Sequence, residues 1–176
     1  TPGGSKAVSS HTASMAGDHA VFREVVKTSR AVEAENEKAF VSYCESLSAF
    51  PTGKVENVCI ITASGGHGAI AADRCYVSGL KNPDIPAEDQ AELKSRLSPS
   101  VQNIASLSNP IDMTGSAVDH DFITAVRFFL DKDYVDCVVL LLLPYLPGIT
   151  SDIGARMSQH VRERSKPVVV YMPRVD

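Results

Sequence analysis

The chain has 176 residues, enough for one well-packed domain with an appendage, and its 44% apolar and 22% charged residues are typical of a globular protein. A formal net charge of −4 without a basic cluster argues against nucleic acid or an anionic membrane as the main partner. We see no signal peptide, no apolar run long enough to cross a bilayer and no cysteine spacing typical of zinc, and therefore expect a cytoplasmic protein with reduced thiols.

The first 50 residues predict a flexible arm followed by two helices. Residues 1–17 are rich in Gly, Ser, Thr and Ala and lack the large apolar side chains that a core needs, so we expect a loop or mobile arm. Asp18 can cap a helix that runs through about Thr28. Apolar residues three and four positions apart predict a second helix over about 35–48, and residues 51–54 form the clearest linker.

The central feature of the chain is a strand, a glycine-rich turn and a helix over residues 57–75. Residues 58–61 are apolar without polar alternation, which predicts a strand buried on both faces of a parallel sheet. Three glycines in the turn allow φ > 0 and close approach of another group, and the helix is predicted from Ala69 to Tyr76. Because the free N–H groups at a helix N-terminus attract anions, the turn is a candidate phosphate site. Its residues are Ser64, Gly65, Gly66, His67 and Gly68.

Strands and helices alternate over the rest of the chain. Gly79 is predicted to end the central helix. The further predictions are a short strand or extended segment over 80–85, helices over 86–97, 119–130 and 151–164, strands over 135–143 and 168–171, and mostly irregular structure over 98–115. This alternation indicates an α/β fold, a flavodoxin-like open parallel sheet with helices on both faces, preceded by a helical N-terminal appendage.

Ligands of such sheets bind beyond the carboxyl ends of the strands. Three segments rich in Gly, Pro or small polar residues are predicted to meet there, over residues 64–68, 109–115 and 144–151. This concentration favours an anion site. Gly and Pro also end strands in proteins that bind nothing at this edge, so the residues alone leave both interpretations open.

His11 is the candidate for covalent chemistry. It lies among small side chains that would let its imidazole reach a nucleophilic or phosphoryl-accepting position. A lone histidine on a serine-rich arm is more often a solvent-exposed bystander, and the residues alone favour that interpretation. His67 could donate a hydrogen bond to an anion at the glycine turn, or have no such role. The remaining histidines are expected on helix surfaces: His19, His120 and His160.

Three motifs resemble those of the nucleoside-diphosphate-forming (NDP-forming) acyl-CoA synthetases, relatives of succinyl-CoA synthetase. S-H-T-A-S-M-A-G at residues 10–17 resembles the family's S-H-T-G-A-L-A-G, whose histidine is transiently phosphorylated. T-A-S-G-G-H-G at 62–68, followed by A-A-D at 71–73, resembles T-N-A-G-G-P-G and A-A-D. N-P-I-D-M-T-G at 109–115 resembles N-P-V-D-L-T-G. The motifs occur in the family's order over nearly the whole chain.

The resemblance implies part of an enzyme that interconverts acyl-CoA, phosphate and ADP with acid, CoA and ATP. In the family the phosphoryl group passes from an acyl phosphate to the histidine, here His11, and then to the nucleotide. Residues 1–50 would be the phosphohistidine loop and closing helices of a preceding domain, and residues 55–176 the ligase domain. The glycine turn would bind phosphate, and a substrate loop would contain Asn109, Asp112, Thr114 and Gly115.

Two residues depart from the family pattern. Ala13 replaces a glycine in the first motif, which should stiffen that loop slightly, and His67 replaces a proline in the second, which leaves the role of His67 open.

The resemblance also implies partners that this sequence does not contain. These are CoA-binding and nucleotide-grasp domains on the same or another chain, a small acyl substrate, and an oligomeric assembly. ATP or ADP, CoA, phosphate and Mg²⁺ would be ligands of the complete enzyme. None of them is expected to bind tightly to this chain alone, which we expect to be incomplete and inactive, and no metal site of its own is expected.

Two other functions stay open at this point. Related modules fused to protein acetyltransferases sense acyl-CoA or nucleotides without catalysis, and such modules can lack the histidine, so the presence of His11 favours the enzyme. A plain flavodoxin-like binding domain would require the match of all three motifs to be chance.

Overall fold

The computed structural model describes five parts of the chain: residue 6 and residues 18–29, 31–50, 54–162 and 164–173. The predicted mobile arm over residues 1–17 therefore lies outside the described residues apart from Lys6, and so does His11. The fold divides into two compact units, Thr1–Pro51 and Thr52–Asp176.

The first unit contains helix α1, His19–Thr28, and helix α2, Glu37–Ala49. Asp18 caps α1 as predicted, because its Oδ1 accepts a hydrogen bond from the Ala20 N–H at 2.7 Å. Helix α2 begins slightly later than predicted, since the side chain of Asn36 accepts from the Ala39 N–H at 2.9 Å and so caps the helix.

The second unit is built on a sheet of four parallel strands in the order β2-β1-β3-β4. The strands are β1 Val58–Thr62, β2 Ile111–Asp112, β3 Cys137–Leu141 and β4 Val168–Tyr171. In register, Ile61 of β1 lies opposite Ile111 of β2 and Leu140 of β3. All five residues of β1 are buried, as its unbroken apolar pattern predicted.

Helices cover both faces of the sheet. They are α3 Gly65–Val77, α4 Ala87–Arg96, α5 Pro99–Gln102, α6 Asp119–Leu130 and α7 Ile153–Val161. The larger core includes Ile61, Phe122 and Phe129, whereas Ile60 and Cys75 belong to a smaller core on the other face. The predicted flavodoxin-like α/β architecture is therefore confirmed. Among the helices that the structure describes, none is long and apolar enough to span a bilayer.

One local prediction is wrong, because the glycine turn is the first turn of α3, which begins at Gly65 rather than at Ala69. Residues 98–115 are mostly irregular, as predicted, but they also contain α5 and β2, which the sequence did not reveal. A two-residue strand is too short to carry a hydrophobic period, so its position depends on pairing with β1. Residues 80–85 form no strand, and Lys81 makes a single parallel bridge to Asn57.

Candidate functional site

The loops that follow β1, β2 and β3 meet at the carboxyl edge of the sheet, as the sequence predicted. Asp112, the last residue of β2, lies beside Gly65 at the start of α3. The loop after β2 reaches the β3 loop, because a Cβ atom on Gly115 would stand 3.6 Å from Cδ2 of Leu146. The edge therefore brings together the three segments that were predicted to meet there, 64–68, 109–115 and 144–151.

Helix α3 begins with exposed, unpaired backbone donors. Thr62 fixes the residue that precedes the helix, since its hydroxyl accepts a hydrogen bond from the Ser64 N–H and donates one to the Ser64 carbonyl, both at 3.0 Å. The Ser64 side chain makes no capping hydrogen bond. Within residues 54–162, the N–H groups of Gly65, Gly66 and His67 have no acceptor, and all three residues are exposed. These donors and the positive end of the helix dipole can bind an anion.

Two of the three glycines in the turn, Gly65 and Gly68, allow the close approach of another group that the sequence predicted, whereas none of the three has the positive φ that it also allowed. A Cβ on Gly65 would lie 2.9 Å from Oδ2 of Asp112, and one on Gly68 would lie 3.1 Å from Cβ of Pro110. Of the described glycines, Gly79 alone has positive φ, at 75°, and it ends α3 as predicted. Gly65 and Gly68 thus allow the start of α3 to approach residues 110–112 closely.

Asn109 is bound into the sheet by its side chain. Its Oδ1 accepts from the Ile60 N–H at 3.0 Å, and its Nδ2 donates to the carbonyls of Val58 at 2.9 Å and Pro83 at 3.2 Å. The edge of β1 is paired with Lys81 at its beginning and with β2 at its end. The Asn109 amide supplies the hydrogen bonds for the stretch between them. The peptide bond that follows Asn109 is cis. The sequence alone did not reveal this strand-completing role.

Asp112 and Thr114 shape the loop that passes over α3. Oδ1 of Asp112 accepts from the Thr114 N–H at 2.9 Å, while its Oδ2 faces Gly65. Thr114 has φ of 62°, which is rare for a β-branched residue. Both residues are partly exposed and Gly115 is exposed, so this surface of the loop is accessible.

A buried carboxylate that sequence reasoning missed fixes the loop after β3. Asp119 accepts from the Thr150 N–H at 3.0 Å and from Nη1 of Arg156 at 2.7 Å, and also from the Thr150 hydroxyl. Its own N–H donates to the Gly148 carbonyl at 3.0 Å. A Cβ on Gly148 would lie only 2.7 Å from the Ala117 carbonyl oxygen. The loop is therefore held firmly against the start of α6.

The described residues offer no thiol nucleophile or metal cluster at this edge. Burial raises the pKa of the Cys137 thiol to about 11 and the pKa of the Cys59 thiol further, so both stay protonated at neutral pH. No group of three or more His, Cys, Asp or Glu in the described part of the chain could hold a metal ion. The chemistry available here is anion binding by backbone donors.

Residues 58–173 match the family model described as the Ligase-CoA domain. The chain is 30% identical over 148 residues to subunit alpha of the ADP-forming acetate–CoA ligase II of Pyrococcus furiosus, which covers 84% of this chain and 31% of that protein. It is 32% identical over 141 residues to the ADP-forming acetate–CoA ligase I of Archaeoglobus fulgidus, covering 80% of this chain and 20% of the relative.

A solved structure has the same fold. The dinucleotide-forming acetyl-coenzyme A synthetase 1 of Ca. Korarchaeum cryptofilum, in complex with phosphate and ADP, superposes with a TM-score of 0.79 at 30% identity. The match covers 98% of this chain and 37% of that one. The chain spans about a third or less of the length of the two sequence relatives, at 31% and 20%.

Proposed function

Because the chain belongs to the Ligase-CoA domain family, we propose that it is part of an NDP-forming acyl-CoA synthetase. The enzyme interconverts acyl-CoA, ADP and phosphate with acid, CoA and ATP, through an acyl phosphate and a phosphohistidine. The observation that carries this proposal is the exposed N-terminus of α3 in a chain of this family, where three N–H groups have no acceptor among the residues that the structure describes.

The start of α3 is proposed to hold the phosphoryl group during transfer. Gly65, Gly66 and His67 are exposed, and their N–H groups can donate to phosphate oxygens. The carboxylate of Asp112 lies beside Gly65, where its negative charge would repel a phosphoryl group. The phosphoryl group therefore binds on the Gly66–His67 side, and no protein carboxylate is displaced when it arrives.

His11 is proposed to carry the phosphoryl group. A ring nitrogen of His11 attacks the phosphorus of the acyl phosphate, and the carboxylate leaves with the electrons of the broken P–O bond. An oxygen of the ADP β-phosphate then attacks the phosphohistidine and gives ATP, which releases the imidazole. The covalent intermediate divides one difficult step into two. This role is supported by the resemblance of residues 10–17 to the family's phosphohistidine segment.

The proposed substrate loop has two kinds of residue. Asn109 acts as a positioning residue, because its amide fastens the beginning of the loop to β1. Asp112 sets the distance between the loop and α3, while Thr114 and Gly115 form the accessible surface that would face the substrate.

The two units are proposed to belong to two domains of the longer enzyme. Residues 1–50 would end a phosphohistidine domain, and residues 55–176 would be the ligase domain. CoA-binding and nucleotide-grasp domains, on the same or another chain, would bring CoA, ADP or ATP, and Mg²⁺. Cytoplasmic location and an oligomeric assembly complete this proposal.

The test is to assay the full-length protein with its nucleotide-binding partner for acyl-CoA and ADP formed from acid, CoA and ATP. A Gly66→Pro variant removes one proposed phosphate donor without breaking a helical hydrogen bond, since the Gly66 N–H has no acceptor in the described part of the chain. Gly154→Pro is the matched control, because Gly154 is also the second residue of its helix and open space surrounds it.

We expect Gly66→Pro to lower turnover about tenfold or more, as loss of a charge-stabilising donor does, and Gly154→Pro to leave turnover unchanged. Equal turnover in both variants would contradict the proposal that the start of α3 binds the phosphoryl group. Binding of acyl-CoA or nucleotide by the unsubstituted protein without turnover would point instead to a regulatory module.

A further inference from the structure

Two non-glycine residues in the described ranges have positive φ, Thr114 at 62° and Tyr145 at 67°. Both lie in loops at the carboxyl edge of the sheet. Such a backbone is unfavourable for β-branched and bulky residues, and it persists only where the surroundings impose it. For Thr114 the cause is local, because its N–H donates to the Asp112 carboxylate.

The side chain of Tyr145 is not used by the fold. It is 77% exposed, and its hydroxyl has no hydrogen-bond partner in the part of the chain that the structure describes. The backbone around it is held firmly, since the Ile149 N–H donates to the Leu146 carbonyl and the Asp119 N–H to the Gly148 carbonyl, both at 3.0 Å. Glycine would adopt this conformation without strain. Folding alone therefore does not account for a large aromatic ring at this position.

The loop that contains Tyr145 is connected to the proposed phosphate site through the residues at and after the end of β2. Leu146, the neighbour of Tyr145, lies close to Gly115, because a Cβ on Gly115 would stand 3.6 Å from Cδ2 of Leu146. Asp112, at the end of β2 just before that loop, lies beside Gly65 at the start of α3. Pro144 and Leu146 flank Tyr145 in the sequence, so this stretch of the edge is apolar, whereas the start of α3 offers polar donors. An acyl phosphate held by its phosphoryl group at Gly66 and His67 has a hydrocarbon end that needs an apolar neighbour.

We propose that the Tyr145 ring packs against the hydrocarbon part of the acid substrate and determines which acids the enzyme accepts. This inference rests on the proposed function and assigns a specificity-determining residue to it. The ring supplies apolar area on a rigid support, which is the form of contact that discriminates between chain lengths.

The experiment compares kcat/KM for acetate and butanoate in the full-length enzyme with its nucleotide-binding partner. Tyr145→Ala should change the ratio of the two values about tenfold or more, because each methylene in an apolar site is typically worth at least that factor. Tyr145→Phe should keep the wild-type ratio. Tyr76→Ala is the matched control, since Tyr76 is 82% exposed near the far end of α3.

A merely structural role for Tyr145 would lower both kcat/KM values equally and keep the ratio, and that result would overturn the inference. Tyr145→Gly provides a second variant, because it removes the ring and relieves the backbone strain together. It should not lower the melting temperature and should change the ratio as alanine does. If the unsubstituted enzyme formed no acyl-CoA, the proposed function itself would fail, whereas an active enzyme with an unchanged ratio would refute only this inference.

Discussion

Oδ2 of Asp112 lies 2.9 Å from the position that a Cβ atom on Gly65 would occupy. The first turn of α3 and the end of β2 can approach this closely only because residue 65 has no side chain. The same carboxylate is held on its other side by the Thr114 N–H, at 2.9 Å from Oδ1. The spacing of the proposed phosphate site and the proposed substrate loop therefore depends on this contact, together with the close approach of Gly68 to Pro110.

A Gly65→Ala substitution should separate these two elements. The new methyl group must displace the Asp112 carboxylate and weaken its bond to Thr114, so we expect the free energy of unfolding to fall by about 1 kcal/mol. Gly66→Ala is the control, because the nearest atom would be 4.0 Å away, and its better helix propensity should stabilise the protein by up to about 1 kcal/mol. Urea denaturation of both variants measures the difference. Equal stabilities would show that the carboxylate moves aside at no cost.

Asn109→Ala should destabilise the protein more than a surface substitution does. The Ile60 N–H would lose its acceptor inside a fully buried strand, and the Pro83 carbonyl would lose a donor, at an expected total cost of about 3 kcal/mol. In the control Asn82→Ala, Val58 O keeps its bond from Asn109, so about 1 kcal/mol should be lost. Chemical denaturation distinguishes the two. A loss for Asn109→Ala no larger than that for Asn82→Ala would contradict the strand-completing role.

Asn109 also illustrates which parts of the structure could be predicted from the sequence. The apolar run of β1 and the helical spacing of residues 119–130 determined those elements, because each buries its own pattern of side chains. Strand β2 was missed because two residues carry no period, and its place is set by distant hydrogen bonds to β1. The proposed site likewise has parts that the sequence revealed and parts that only the fold shows. Its glycines and the Asn-Pro motif were visible in the sequence, whereas the contact between Asp112 and Gly65 required the fold.

Asp136 should make the stability of the protein depend on pH in the acid range. Its carboxylate accepts from the Asn57 N–H at 2.8 Å and the Glu56 N–H at 3.0 Å, and these bonds, that of Asn57 first, lower the pKa of Asp136. Since the folded-state pKa lies below the unfolded value of about 3.9, the stabilisation is complete above that value and is lost as the pH falls through the folded-state pKa.

Asp136→Ala should therefore cost about 2 kcal/mol at neutral pH, and the difference from wild type should shrink below about pH 4. Asp133→Ala, at a neighbouring exposed position, should cost little at either pH. Denaturant titrations from pH 7 to pH 3 provide the measurement. A difference that stayed constant to pH 3, or that grew, would rule out the ionised carboxylate as the cause.

His11 is the residue that we propose to carry the phosphoryl group. The most direct measurement incubates the full-length protein and its nucleotide-binding partner with labelled ATP and Mg²⁺ and follows label on the protein. We predict an acid-labile phosphate that is absent in His11→Gln, retained in His19→Gln and discharged when acid and CoA are added together. Label that persists in His11→Gln, or no label in an enzyme that still forms acyl-CoA, would contradict the phosphohistidine mechanism.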